Sequence, residues 1–575
     1  MVKDAPNDVY VPVMNASDTA IELKAGERLA SLEPVDLVTS SQQDNCNGEV
    51  SHIEHLWKNV DDSVAVAEKQ ELRNLLTRYS AVFSKGDGDL GRATAVKHRI
   101  DTGTAKPFRQ TLRRQPIAMQ PEIDAQLKQM EEQGIIYPSQ SEWASNIVVV
   151  KKKDGSLRCC VDYRQLNERT VKDTYPLPRI DDCLDTLSGS KLFSTFNLRS
   201  GYYQVEVDPN DAHKTTFVTR QGTYAFKVMP FGLCNAPATF QRLMDVAMMG
   251  LNFDMCLVYL DDIIVFSTDV SSHLQRLEAL FQRLQTANLK LKPSKCSLLK
   301  RSVGFLGYVV SDEGVSTDPS KIETIQSWPI PRKLRDVRSF LGLCGYYRRF
   351  VPNFSGVAAP LHALTRKGCA FEWSQECQKS FEDLKSMLMS SPVLTLPQNG
   401  CQYILDTDAS QHGIGAVLSQ IQNDEERVIA YSSRLYSTAV KRYCVTRKEL
   451  LAVIYFLRQF RQYLLGTSFI VRTDHADHDS GCGGRQSHWD SRGAGWRLSR
   501  NSTLWCVTGQ AQLMPMQMHS VESLVANAAS VWAASRTLSG LQLLQLSTLT
   551  QAVLPRPFQA WKFSDSHSLK TQRYD

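Results

Sequence analysis

Two adjacent carboxylates, Asp261 and Asp262, interrupt an apolar run, Met255-Cys-Leu-Val-Tyr-Leu-Asp-Asp-Ile-Ile-Val-Phe-Ser267. The apolar halves read as strands, and a two-residue interruption has the spacing of a tight hairpin. Like charges side by side in an apolar setting lose hydration and repel, so their burial demands protons or a divalent cation. Asp also suits solvated turns for its own hydrogen-bonding reasons. The dipeptide by itself leaves both readings open.

The chain that must position these acids has 575 residues, long enough for about four domains and well beyond a single small binding module. Its 66 Lys+Arg against 60 Asp+Glu leave a net charge of +6, which permits a nucleic-acid partner without arguing for one. The 14 cysteines are scattered, with one adjacent couple at Cys159 and Cys160, and suggest neither a disulfide framework nor a zinc ribbon. No signal-peptide core and no long apolar run stands out, so the expectation is an intracellular protein, cytoplasmic or nuclear, with no membrane partner.

Residues 9–35 alternate apolar and polar, as short strands do, and 36–60 are polar and aperiodic. Helical spacing follows over 62–84, through Leu72, Leu75, Leu76 and Tyr79. From about 96 to 366, strands such as Ile147-Val-Val-Val150 alternate with amphipathic helices such as 272–288, predicting an α+β core. A second α/β unit shows strands near 402–406, 427–431 and 468–473 and a helix over 446–464, with Leu450, Val453, Ile454, Leu457 and Phe460 on one face. The last hundred residues differ in kind: between 501 and 555 only Glu522 and Arg536 carry charge.

Tyr259-Leu-Asp-Asp262 does not stand alone. With Arg158-Cys-Cys-Val-Asp-Tyr-Arg-Gln-Leu-Asn167, Tyr175-Pro-Leu-Pro-Arg-Ile-Asp181, Phe193-Ser-Thr-Phe-Asn-Leu-Arg-Ser-Gly-Tyr202 and Met229-Pro-Phe-Gly-Leu-Cys-Asn-Ala-Pro-Ala-Thr-Phe-Gln-Arg242, it resembles the reverse transcriptase of gypsy-type long-terminal-repeat retrotransposons. The resemblance runs on through Gly304-Phe-Leu-Gly-Tyr-Val-Val310 and Ser339-Phe-Leu-Gly-Leu-Cys-Gly-Tyr-Tyr-Arg-Arg-Phe350. It implies a right-hand polymerase of fingers, palm and thumb, extending a primer by two-metal catalysis with Mg2+, or Mn2+ in its place. Asp261 and Asp262 match its catalytic pair. Lys152 and Arg158 fall where the family holds the nucleoside triphosphate, and Tyr202 where an aromatic ring crowds the sugar 2′ side. Phe231 falls in the turn lining the nucleotide pocket, and Phe305, Leu306 and Gly307 in the segment that grips the primer end. Read without the family, the two cations would be solvated surface charges and the aromatics would be core.

Residues 404–475 resemble the RNase H domain that follows, through Asp406-Thr-Asp-Ala-Ser-Gln-His-Gly-Ile-Gly-Ala-Val-Leu-Ser419, Tyr443-Cys-Val-Thr-Arg-Lys-Glu-Leu-Leu-Ala-Val453 and Phe469-Ile-Val-Arg-Thr-Asp-His475. Asp408, Glu449 and Asp474 match that family's metal ligands, which activate water against an RNA phosphodiester. Thr446-Arg-Lys-Glu449 is also a capping-box pattern, so Glu449 has a purely structural rival role. The implied partners are RNA and DNA primer-templates, RNA–DNA hybrids and deoxynucleoside triphosphates; oligomeric state is open.

Two departures qualify the resemblance. The family's third polymerase carboxylate belongs in Phe193-Ser-Thr-Phe-X-Leu, where this chain has Asn197. An amide keeps the shape but loses the charge that holds two dications close, predicting poor or absent polymerisation. After His475 the match ends, so the RNase H unit reads as truncated, weakened and followed by an irregular tail. His475, His478, Cys482 and His488 have zinc-ligand types without regular spacing. Asp101-Thr-Gly103 matches the aspartic-protease triplet but lacks its apolar strand, and no protease activity is expected. The implied organisation is protease-strand remnant 1–38, linker and helix 39–95, fingers and palm 96–272, thumb and connection 273–366, incomplete RNase H domain 367–475 and unmatched tail 476–575. The rival reading is a non-catalytic nucleic-acid binder, using Lys151 to Lys153, Arg332-Lys333 and Arg348-Arg349 against phosphates.

Overall fold

The computed structural model describes residues 51–61, 64–86, 88–151 and 157–473, with strand backbone at Leu498–Thr508 and Met514–His519. The strands expected over 9–35, Lys152, Asp474 and the His475–His488 cluster lie outside the described residues. The segment read as linker closes with a short helix, Glu54–Lys58, anchored by buried Ile53 and Leu56. Helix α1, Val66–Arg78, buries Leu72, Leu75 and Leu76 as their spacing requires.

In the fingers, β1 (Ser145–Lys151) and β2 (Leu157–Val161) form an antiparallel hairpin at one end of a five-stranded sheet. Helix α2, Ile180–Thr186, leads into the palm. Its sheet is built from β3 (Leu192–Asn197), β4 (Cys256–Tyr259), β5 (Asp262–Ser267) and β6 (Ser297–Lys300) in the order β6-β3-β5-β4. Ile263, Ile264 and Val265 are fully buried, so β5 is covered on both faces, which is why its sequence runs apolar instead of alternating. Helices α3 (Ala236–Ala247) and α4 (Val270–Thr286) pack on this sheet. Asp269 caps α4 by accepting the Ser272 N–H at 2.8 Å.

Beyond the palm, β7 (Ser302–Phe305), β8 (Tyr308–Ser311) and β9 (Gly314–Thr317) form a meander. Helices α5 (Leu334–Tyr346) and α6 (Gln375–Met389) follow. Leu184, Phe193, Ile264, Phe305, Phe340 and Leu384 share one apolar cluster, so palm and connection have a continuous core.

The second α/β unit, the one that resembles RNase H, has its own core. Strands β10 (Tyr403–Ala409), β11 (Gly413–Gln422), β12 (Glu425–Leu435) and β13 (Phe469–Thr473) are joined by β14 (Leu498–Thr508) and β15 (Met514–His519) in the order β12-β11-β10-β13-β14-β15. Two segments of the tail thus continue the sheet, β14 running parallel to β13. The helix expected over 446–464 is two: α7 (Val445–Gln459) and a short α8 (Arg461–Leu464). The buried stripe of α7 is Glu449, Ala452, Phe456 and Leu457, while Leu450 is 46% exposed, so the apolar face is rotated from the one expected. Lone leucines on helix surfaces are common enough to mislead a periodicity count.

A buried imidazole pins the palm. His273 of α4 is fully buried, with Nε2 2.7 Å from Ser194 Oγ of β3 and Nδ1 2.8 Å from Ser267 Oγ of β5. Burial, with nearby Arg276, lowers its pKa from 6.5 to about 4. His98, 2.9 Å from Thr239 Oγ1, is lowered to about 4 by the same desolvation. Between pH 6.5 and 4 the unfolded chain therefore binds protons that the folded one refuses, and stability falls as pH falls, by about 3 kcal/mol per histidine at the lower limit. The raised pKa values of half-buried Asp185 and Asp261, each about 6, act in the opposite sense over part of this window. The difference in urea stability between the parent and His273→Gln isolates the histidine. It is expected to shrink as pH drops from 6.5 to 4; a constant difference would contradict the assignment.

Candidate active sites

The catalytic-type hairpin turns one residue earlier than the spacing suggested. Tyr259 pairs with Asp262, so the two-residue turn is Leu260-Asp261 and Asp262 opens β5. Leu260 adopts φ +52°, a left-handed conformation that costs a leucine energy and must be imposed by its surroundings. The surroundings are visible: buried Gln241 of α3 accepts the Leu260 N–H at 2.9 Å and donates to Val258 O at 3.2 Å, while Leu198 N–H reaches Asp261 O at 3.3 Å. An internal amide side chain thus holds the turn from below.

Asp261 is half-buried, and its Oδ1, shielded from solvent, has no hydrogen-bond partner. Desolvation first, then the charge of Asp262, raises its pKa to about 6, against a lowering by Lys295. Asp262 stands opposite Asn197 in the β3–β5 register, and Asn197 Nδ2 donates to Asp262 Oδ1 at 2.7 Å. A carboxylate oxygen accepts only, so the nitrogen side of the amide must face it. Asn197, Asp262, Lys295, Phe305 and Leu306 share a cavity of about 320 Å³.

Above Asp261 runs a column of rings. Tyr202 packs against Phe240 at 5.3 Å and stacks on Phe231 at 5.1 Å, and the Arg158 guanidinium lies 4.5 Å over the Phe231 ring. Burial and the adjacent Asp261 raise the Tyr202 pKa to about 12. The structure therefore brings Arg158, Tyr202, Phe231, Asp261, Asp262, Asn197, Phe305 and Leu306 around one site. Gln241, Phe240 and Lys295 were missed; the first two lie in the Met229–Arg242 motif, whose resemblance was the available signal, while nothing in the sequence around Lys295 places it near Asp261.

Leu306 and Gly307 form the two-residue turn between β7 and β8, with φ +49° and +75°. Both positive values mark a twisted hairpin turn for which glycine is suited and leucine is not.

In the second unit, Asp408 is exposed near the end of β10 and Glu449 is buried on α7. Both act on Tyr436, whose pKa burial and these two carboxylates raise to about 12. The capping-box reading of Glu449 fails, because α7 begins at Val445 after Cys444 and places Glu449 beyond the first turn. The neighbouring Asp406 is engaged elsewhere: Arg472 donates to it at 2.8 Å and to Glu426 at 3.0 Å. Thr473, the last described residue of β13, pairs with Thr407, next to Asp408. Among the described residues no three His, Cys, Asp or Glu side chains form a ready metal cluster.

Other readings change with the structure. Asp101 accepts the Gly103 N–H at 2.8 Å in a turn, as a decoy triplet would. The Arg349 side chain is 11% exposed and bound to Asp181, so it is committed inside the protein and is not a free phosphate-binding cation, whereas Arg348 stays exposed while donating to Ser433 O. Arg332 and Lys333 are exposed. No helix among the described residues is long and apolar enough to cross a membrane.

Residues 150–310 match the family model of reverse transcriptase, described as RNA-dependent DNA polymerase, and residues 373–471 that of the RNase H-like domain found in reverse transcriptase. The chain is 39% identical over 422 residues to the retrovirus-related Pol polyprotein of transposon 297 from Drosophila melanogaster, covering 72% of this chain and 39% of that protein. It is 34% identical to the Pol polyprotein of transposon gypsy from the same species, covering 72% of this chain and 41% of that one. It therefore spans about two-fifths of the length of these relatives. Among solved structures, a foamy viral protease–reverse transcriptase in complex with double-stranded DNA aligns with a TM-score of 0.69 at 23% identity, over 80% of this chain and 98% of that one. A second foamy viral protease–reverse transcriptase, the dRH form, also in complex with double-stranded DNA, aligns at 0.67 and 25% identity, over 74% of each chain. Palm hairpin, aromatic column, RNase H-like sheet and sequence kinship agree, and the chain belongs to the Pol polyproteins of gypsy-type long-terminal-repeat retrotransposons, of which it carries the reverse transcriptase and RNase H-like segments.

Proposed function

We propose that this chain binds primer-template and RNA–DNA hybrid, cleaves the RNA of the hybrid at the Asp408–Glu449 site with Asp474, and copies RNA into DNA only weakly at the Asp261–Asp262 site. The observation that carries the reading is the buried, unpartnered Asp261 Oδ1 next to Asp262, which itself lines the cavity that also takes in Phe305 and Leu306. A lone buried acceptor of this kind suits a hard divalent cation. Asp261 and Asp262 would hold it, and bound Mg2+ would supply neutralisation of the charge on the phosphoryl group being transferred.

The chain's own residues account for the rest. Arg158 offers a guanidinium fork to a triphosphate, and Lys152 would add a second cation. Tyr202, stacked on Phe231 and backed by Phe240, cannot swing away from an incoming sugar, which favours deoxynucleotides. Phe305, Leu306 and Gly307 present the primer end. In the RNase H unit, Asp408 and Glu449 supply carboxylates from a strand end and a facing helix.

The Asn197–Asp262 hydrogen bond favours a second reading, a nucleic-acid binder without polymerase turnover. An N–H donor occupies the oxygen that a cation would use.

A hybrid with labelled RNA and a recessed DNA strand separates these. With Mg2+, the purified chain is expected to cut the RNA, and Asp408→Asn and Glu449→Gln are each expected to lower the rate by about 10²–10³-fold with hybrid affinity nearly unchanged. Salt-sensitive hybrid binding with no cutting leaves the binder reading, and cutting untouched by both substitutions rejects the assigned carboxylates.

A further inference from the structure

The end of α5 and the residues after it touch three parts of the molecule. The Tyr346 hydroxyl donates to Leu306 O and the Tyr347 hydroxyl to Gly307 O at 2.6 Å, so two consecutive tyrosines hold both carbonyls of the β7–β8 turn. Tyr346 also stacks on Tyr308 at 5.1 Å, and its own carbonyl accepts from the Tyr308 hydroxyl at 3.2 Å. Burial raises the Tyr346 pKa, and Tyr259, beside the catalytic-type turn, lies close enough to add to that rise.

The next two residues face the other way. Arg348 donates to Ser433 O at 3.2 Å and Arg349 to Ile429 O at 3.3 Å, both carbonyls of β12, the edge strand of the RNase H sheet. Edge-strand carbonyls lack ladder partners, and here two guanidinium groups supply them. Arg349 also binds Asp181 of α2 at 3.1 Å, and α2 reaches the RNase H unit a second time through the hydrogen bond between Asp185 and Tyr463. Ser355 closes the seam, with N–H and hydroxyl bonded to Ser433 at 2.8 and 2.7 Å.

We infer that Tyr346, Tyr347, Arg348 and Arg349 are positioning residues that fix the Leu306–Gly307 turn in register with the RNase H sheet, and so set the distance between a primer end and the point at which the paired RNA is cut. Resting on the function proposed above, this adds a measurable spacing to it. The path is short and mechanically simple: turn carbonyls, two phenols, four residues of one segment, edge-strand carbonyls. Hydroxyls removed from the tyrosines would leave stacking intact while freeing the turn.

The test uses the full chain, the double variant Tyr346→Phe/Tyr347→Phe and the variant Arg348→Ala, on a hybrid whose DNA 3′ end is recessed on labelled RNA. The expected result is that cut positions, counted from the 3′ end, broaden or move by about one to three nucleotides, since one nucleotide is a few ångströms of duplex. Total cleavage should stay within about twofold, because neither variant touches the carboxylates. A merely structural role would lower the yield without moving the cuts, and unmoved cuts overturn the inference. Should the parent fail to cut, the proposed function fails, and the positioning role is read instead by amide hydrogen exchange. The β7–β8 amides are expected to exchange roughly tenfold faster in the tyrosine variant, as loss of two hydrogen bonds allows, with β4–β5 unchanged. Unaltered β7–β8 exchange overturns the role in that case.

Discussion

Replacing Asn197 by aspartate is expected to make the palm less stable in chelator and more stable in Mg2+, and to raise primer extension by several powers of ten. In the parent, the Asn197 amide donates to Asp262 at 2.7 Å and so stands in for part of the positive charge that the site wants. A carboxylate there would face Asp262 across a β-pair and lie near half-buried Asp261, which already has a raised pKa. Without a cation, a third negative charge at such distances costs about 1–4 kcal/mol. With Mg2+, the same charge becomes a ligand, and the recovered transition-state stabilisation of several kcal/mol corresponds to about 10²–10⁴ in rate. Thermal melts in EDTA and in Mg2+, beside single-nucleotide extension on an RNA template, read both effects. A variant whose melting does not respond to Mg2+ and whose rate matches the parent would remove Asn197 as the cause of weak polymerisation. Mn2+ should narrow the gap between parent and variant, because it tolerates poorer ligand sets.

The pairing of Asn197 with Asp262 also shows what sequence can and cannot reveal here. That a hairpin carries the two acids follows from the apolar flanks, since a period-two or fully buried strand on each side leaves few alternatives. Which residue makes the turn does not follow. Leu260 takes a positive φ that its own chemistry disfavours, and the cause, Gln241, is far away in sequence and looks like an ordinary helix residue. The same holds for Lys295 and the tyrosine pair, whose partners are set by how the palm and connection share a core. Arg349 was misread for the converse reason. A charge pair in sequence suggests a solvated surface, yet Arg349 is turned inward, onto Ile429 O of the edge strand and onto Asp181. On α7, the rotated face has a simple origin: several apolar residues compete for the core, and Glu449 takes a place in the buried stripe that hydrophobicity would have given to Leu450.

The other large effect is expected at a residue with no side chain. Gly201 follows Ser200, whose φ is +47°, in the short turn leading to Tyr202, and it is buried. A Cβ at Gly201 would lie 2.2 Å from Asp261 Oδ1 and 2.7 Å from Phe240 Cζ. Neither neighbour can yield easily. Phe240 is fully buried, and the Asp261 backbone is held by Leu198 while Gln241 fixes Leu260 before it. Gly201→Ala must therefore rotate the Asp261 carboxyl or move the turn, at an overpacking cost of about 1–3 kcal/mol. A displacement near 1 Å of a metal-binding carboxylate is worth about 10²-fold in rate. Measured in the Asn197→Asp background, where polymerisation is strong enough to follow, Gly201→Ala is expected to lose about that factor and the Mg2+ stabilisation with it. Hybrid cleavage by the RNase H unit, which has a separate core, should change by less than about twofold and serves as the internal control. Because the glycine's φ is not among the positive ones, backbone strain does not explain a loss, which leaves the contact with Asp261 and Phe240 as its source. Normal polymerisation by the alanine variant would show that the Asp261 carboxyl has another resting place and that its buried, unpartnered position is not the working one.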